Sequence, residues 1–177
     1  RSHKPINQIT TIKKDENGFN PVHMEIFRKV NFIAHWEGGI ALFLLFMKHS
    51  IYTPTIRFSD IDIMGHVNNA TYLTYFEEAR IHFFSQLVGE WDWGNYGILV
   101  ARNEINYKRP IFSKDKIQIH TRISELGNKS LHMEYRITKQ GKEGEELCTD
   151  GKSILVCFNY KNNKTIAIPE AWKKLLS

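Results

Sequence analysis

The chain has 177 residues, 42% of them hydrophobic, and its 24 Lys and Arg against 19 Asp and Glu give a formal charge of +5. This is the composition of one globular domain with a sizeable core. The basic residues are scattered, with no zinc-finger spacing and no Arg-clustered recognition helix, so nucleic acid is not an expected partner.

Along residues 1–46, Val22, Ile26, Val30 and Ile33 recur at helical spacing, Gly38 and Gly39 interrupt, and an apolar run covers 40–47. That run is too short to span a bilayer and lies too deep for a signal-peptide core, so no membrane partner is expected. The chain opens on Arg1, and Met47 stands just ahead of the first convincing strand. Residues 1–46 are therefore expected to be an appendage, either a helical extension or a mistaken start, and 47–177 the folded domain.

Residues 51–59 read as a strand, with Pro54 marking an edge or a bulge. From 69 to 88 the apolar positions Tyr72, Leu73, Phe76, Ala79, Phe83, Phe84 and Leu87 form a broad stripe at helical period. Asn68 or Asn69 suits its N-cap and Gly89 its stop. After a Trp- and Gly-rich loop at 89–97, residues 98–107 are strand-like up to Arg109 and Pro110. Ile117, Ile119, Thr121 and Ile123 alternate, as do Leu131, Met133, Tyr135 and Ile137, with a hairpin turn signalled at Gly127 and Asn128. A turn at 141–144, a strand over 153–160, a turn at Asn162 and Asn163 and a short helix over 169–176 complete the pattern. The fold class is α+β: an antiparallel sheet on one central helix. Cys148 and Cys157 lie nine apart, so on one continuous strand they point to opposite faces and do not bridge. Reduced thiols fit a cytoplasmic protein.

The densest chemistry lies where the first strand gives way to the long helix. Asp60, Asp62, His66, Asn68 and Asn69 fall within ten residues there. The unpaired N–H groups of a helix's first turn, with its positive dipole end, suit a developing oxyanion. A carboxylate on the preceding turn, Asp62, then points to acyl transfer or ester hydrolysis. Asp60 reads as a turn-capping structural residue. His66 reads as a base, a substrate-orienting group or a turn residue bonded to backbone. No second cluster of ligands matches Asp60, Asp62 and His66, so no metal is expected. Ser59, Ser130 and Cys157 lack a nucleophile elbow and a partnering base.

Asp-Ile-Asp-Ile-Met-Gly-His-Val-Asn-Asn at 60–69, followed by a helix and an antiparallel meander, resembles the hotdog-fold acyl-CoA thioesterases of the 4-hydroxybenzoyl-CoA thioesterase type. The likeness runs from about 51 to 170, through Tyr107-Lys108-Arg109-Pro110, Leu126 to Ser130 and Ile168-Pro169. It implies an antiparallel sheet wrapped around a long central helix, and hydrolysis of acyl-CoA to a carboxylic acid and coenzyme A without a metal or redox cofactor. It also implies Asp62 as the catalytic carboxylate, attacking the thioester or activating water. The oxyanion donor becomes a backbone N–H in 67–69, that of Asn68 foremost, and Asn69 helps to orient substrate or water. Arg109, with Lys108 and Lys129, is placed near coenzyme A phosphates, while Tyr72 and Phe76 border the acyl pocket. Assembly as a homodimer or homotetramer, with coenzyme A across a subunit boundary, is implied as well. Some acyl-carrier-protein thioesterases carry an Asn where this chain has Met64, which weakens a triad-like role for His66. Acyl-carrier protein as substrate carrier and a non-catalytic acyl-CoA- or protein-binding module are the alternatives.

Overall fold

The computed structural model describes residues 49–87 and 94–176. The proposed appendage, the helical spacing from Val22 to Ile33 and the Gly89 stop lie outside them. The elements in chain order are β1 (His49–Tyr52), a 3-10 turn (Phe58–Asp60), α1 (Thr71–Leu87), β2 (Tyr96–Tyr107), β3 (Ile117–Leu126), β4 (Ser130–Gly141), β5 (Gly144–Asn159), β6 (Lys164–Thr165) and α2 (Glu170–Leu176). The sheet order is β1-β3-β4-β5-β2, all neighbours antiparallel, with β6 paired to the end of β5. The tight hairpins joining β3, β4 and β5 explain why those strands are sequential neighbours.

Helix α1 packs on one face of this sheet. Tyr72, Tyr75, Phe76, Ala79 and Phe83 are buried and sit three or four apart, as one helix face requires. Phe76 stacks on Tyr135 of β4 at 4.2 Å. The helix comes close here because Gly151 of β5 has no side chain: a Cβ built there would lie 2.6 Å from both the Phe76 ring and the Glu104 carbonyl. The opposite sheet face is polar. Glu134 on β4 bridges Arg122 on β3 and Lys152 on β5, so cross-strand charges alternate in sign.

Several details differ from the sequence reading. The first strand ends at Tyr52, because the residues from Thr53 to Arg57 find no ladder partner and residues 58–60 close a 3-10 turn. Pro54 thus lies beyond the strand rather than within it. β5 begins at Gly144, nine residues before the expected 153, and its first half sets the charged Glu145, Glu146, Asp150 and Lys152 among the buried Cys148 and Thr149. Leu73 is exposed, one step off the buried stripe, whereas Tyr75 is 1% exposed and belongs to it. Both cysteines are unbridged, but both are buried rather than opposed. A register shift between Ile137 and Thr138 leaves Cys148 as a bulge residue opposite β4, which turns its thiol inward.

Candidate active site

The segment between the 3-10 turn and α1 is a miniature hairpin. Ile61 and Val67 form an antiparallel bridge, the Asp62 N–H donates to the His66 carbonyl at 3.0 Å, and the Gly65 N–H donates to the Asp62 carbonyl at 3.0 Å. Gly65 adopts φ +83°, a left-handed conformation that a side chain disfavours. This turn brings His66 back beside Asp62: its Nδ1 stands 3.6 Å from Asp62 Oδ2 and 3.3 Å from the Val67 carbonyl oxygen. Asp62 Oδ1 accepts the Met64 N–H at 2.8 Å. One carboxylate oxygen therefore orients the side chain, and the other faces the imidazole.

Asp60 anchors the hairpin from beneath. It is 7% exposed, and its Oδ2 accepts the Arg57 N–H and the Tyr75 hydroxyl, each at 2.8 Å. Burial first, then the hydrogen bond to Asp60, pushes the Tyr75 phenol well above its ordinary pKa, so it remains a donor. Arg57 is held by Glu78 of α1 at 2.6 Å, which also receives the Tyr52 hydroxyl at 3.3 Å.

The approach to α1 uses nearly all of its backbone donors. The Val67 N–H goes to Ile111 O at 2.8 Å, that of Asn68 to Asp60 O at 2.8 Å, and that of Ala70 to Asn68 Oδ1 at 2.9 Å. The Asn68 carbonyl accepts the Thr71 N–H at 2.9 Å. Among the described residues the Asn69 N–H has no acceptor. The amide that the resemblance singles out, that of Asn68, is thus engaged by Asp60, and the free donor is one residue on. The Asn68 side chain acts as the cap, a use its residue type favours.

The remaining candidates fall elsewhere. Phe76 is buried against Tyr135, and Tyr72 is buried edge-on to Tyr107 with ring centroids 5.1 Å apart. Burial pushes the Tyr72 phenol up to about 12. Arg109 turns toward β5, donating to Leu147 O at 3.4 Å with Glu146 at 4.0 Å. Lys108 pairs with Asp150 at 2.8 Å, and Lys129 reaches Thr165 Oγ1 at 3.4 Å. Among the described residues no three His, Cys, Asp or Glu side chains are grouped to hold a metal, and no helix is long and apolar enough to cross a membrane. Two hydroxyls received no role in the sequence reading: that of Tyr75, which binds Asp60, and that of Tyr107, which donates to Asn69 O at 2.9 Å. Tyr75 carries no sequence signal beyond its place in the helix, and Tyr107 opens the Tyr107–Pro110 stretch of the resemblance without a role of its own.

One long helix on an antiparallel sheet, with a carboxylate on the turn before the helix, is the arrangement of the hotdog fold. The chain belongs to the thioesterase-like superfamily, whose sequence model matches residues 56–176. It is 31% identical over 116 residues to the long-chain acyl-CoA thioesterase FadM of Escherichia coli strain K12, covering 64% of this chain and 86% of that one. A thioesterase from Thermus thermophilus, solved with coenzyme A and Zn, superposes with TM-score 0.61 at 35% identity over 71% of this chain and 90% of that one. DHNA-CoA thioesterase from Staphylococcus aureus superposes with TM-score 0.64 at 26% identity, over 72% and 90% of the two chains.

Proposed function

We propose that the protein hydrolyses acyl-CoA thioesters with Asp62 as the catalytic carboxylate and the Asn69 N–H as the oxyanion donor. The observation that carries this reading is that, among the described residues, the Asn69 N–H at the approach to α1 has no acceptor and lies two residues beyond a hairpin that presents Asp62. The thioester carbonyl oxygen lies against the Asn69 N–H, which is preorganised and aided by the positive end of the helix. In one route Asp62 attacks the carbonyl carbon, the C–S bond breaks with coenzyme A leaving as its thiolate, and water then hydrolyses the mixed anhydride to the acid. In the other Asp62 takes a proton from the attacking water, the C–S bond breaks, and that proton passes to the leaving sulfur. His66 Nδ1 faces Asp62 Oδ2 and steadies the carboxylate's orientation. Asp60 has both of its Oδ2 donors inside the fold and serves structure.

The protein works as a homodimer or homotetramer. Among the described residues β2 pairs only with β5, and no strand lies along its other edge. Val100 and Tyr107, which lie opposite the buried Leu155 and Thr149, remain 40% and 50% exposed, so this edge of the sheet is only partly covered. A second copy pairing along β2 covers it. Arg109 contributes to coenzyme A phosphate binding, and the unbridged Cys148 and Cys157 fit a cytoplasmic setting.

The test is thiol release from long-chain, short-chain and aromatic acyl-CoA thioesters, with the matching acyl-carrier-protein thioesters beside them. Turnover with coenzyme A carriers preferred supports the proposal, and binding without turnover by the full panel contradicts it. Single turnover in ¹⁸O-water separates the two routes, because attack by Asp62 leaves label in the protein carboxylate and general-base catalysis does not.

A further inference from the structure

The Asn69 N–H is held in place from two directions. On the Asn68 side the restraints are local: Asn68 N–H to Asp60 O, Asn68 Oδ1 from Ala70 N–H and Asn68 O from Thr71 N–H, all 2.8 to 2.9 Å. On the other side the restraint comes from across the fold, where the Tyr107 hydroxyl donates to the Asn69 carbonyl at 2.9 Å. We propose that Tyr107 is a positioning residue for catalysis, anchoring the Asn69 end of the peptide that presents the Asn69 N–H by holding the carbonyl of the next peptide. This rests on the reading of Asn69 as the oxyanion donor.

The Asn69 N–H lies in the peptide plane it shares with the Asn68 carbonyl, which the Thr71 N–H holds; the far end of that plane, the Asn69 Cα, is located by the next peptide, whose carbonyl Tyr107 grips. Residues at a helix start lack the full ladder that steadies the interior. A donor from a strand supplies what the helix does not. Tyr107 is well set for this: its ring packs edge-on to the buried Tyr72, and it ends β2, where the next two amides, of Lys108 and Arg109, both donate to Cys148 O at 2.8 and 3.0 Å. Burial raises the Tyr107 phenol pKa, which keeps the hydroxyl a donor. A 1 Å error in placing a catalytic group is enough to cost orders of magnitude in rate, so a single neutral hydrogen bond at this point has leverage.

The experiment compares wild-type protein, Tyr107→Phe, Asp62→Asn and a control, Tyr160→Phe, at another exposed tyrosine. Each is assayed for kcat and KM on the best thioester, for melting temperature, and by calorimetry for the stoichiometry and affinity of coenzyme A binding. Tyr107→Phe is expected to lower kcat about fivefold to tenfold, the effect of roughly one hydrogen bond. KM, coenzyme A affinity, binding stoichiometry and melting temperature stay near wild type, and Tyr160→Phe matches wild type throughout. An unchanged kcat in Tyr107→Phe overturns the inference, as does a loss accounted for by fewer binding-competent sites or a lowered melting temperature. If Asp62→Asn keeps wild-type turnover, the underlying catalytic reading falls as well. If Asp62→Asn is inactive while Tyr107→Phe is fully active, only the role of Tyr107 falls.

Discussion

Removing the Tyr75 hydroxyl tests how the active-site hairpin is anchored. In Tyr75→Phe the ring still fills its site, 1% exposed, but the Asp60 carboxylate, itself 7% exposed, loses one of two 2.8 Å donors. A hydrogen bond to a charged group is worth roughly 1.5–3 kcal/mol, and the stranded carboxylate cannot turn to water without opening the loop. At roughly 4 °C per kcal/mol for a domain of this size, the melting temperature should fall by about 6–12 °C. Asp60→Asn keeps an acceptor but loses the charge, so a smaller loss of about 1–2 kcal/mol is expected. Because both changes break one contact, the double variant should be less damaged than the sum of the singles, with a coupling of about 1 kcal/mol or more. Urea denaturation of all four proteins gives the cycle, provided the slopes agree. Single losses below about 0.5 kcal/mol, or strict additivity, would refute the anchoring argument.

Gly151→Ala places a methyl group 2.6 Å from the Phe76 ring and from the Glu104 carbonyl, and the carbonyl is backbone that cannot swing aside. A loss of about 1–3 kcal/mol in denaturant unfolding is expected, and unchanged stability would show that α1 rides higher over the sheet than described. On the polar face, the Lys152 and then the Arg122 hydrogen bonds hold the Glu134 carboxyl below its ordinary 4.5. A depressed native pKa means that the unfolded chain takes up the proton first. The stability from this group is therefore present above pH 4.5 and is lost as pH falls through the lower native value. Unfolding measured across that acid range should lose less stability in Glu134→Gln than in wild type, and identical pH slopes would count against the network.

Where one face of a strand is buried and the other wet, alternation reveals the strand, and β3 and β4 were legible for that reason. The first half of β5 was not, because Glu145, Glu146, Asp150 and Lys152 look like a solvated turn. Their partners, among them Thr138, Lys108 and Glu134, lie on neighbouring strands and are invisible to a local pattern. The opposite error arose at residues 53–57, which are extended but unpaired, since pairing depends on a neighbour and not on propensity. At the site, the spacing of Asp60, Asp62 and His66 made the turn before α1 visible. The free amide was not, because its identity depends on where the Asp60 carbonyl lands. The contacts of Tyr75 and Tyr107 were hidden for the same reason: their hydroxyls act on residues 15 and 38 positions away.

The central claim is that Asp62 drives thioester hydrolysis at this helix start. The most direct measurement is kcat on the preferred acyl-CoA for wild type and Asp62→Asn, with folding checked by circular dichroism and melting temperature. Asp62→Asn is nearly isosteric and keeps an acceptor for the Met64 N–H, so the fold should persist. Turnover should fall at least about a hundredfold, on the order of 3 kcal/mol of transition-state stabilisation. Asp60→Asn, measured beside it, should retain far more activity. A well-folded Asp62→Asn protein with near-normal turnover, or one outperforming Asp60→Asn, would contradict the assignment.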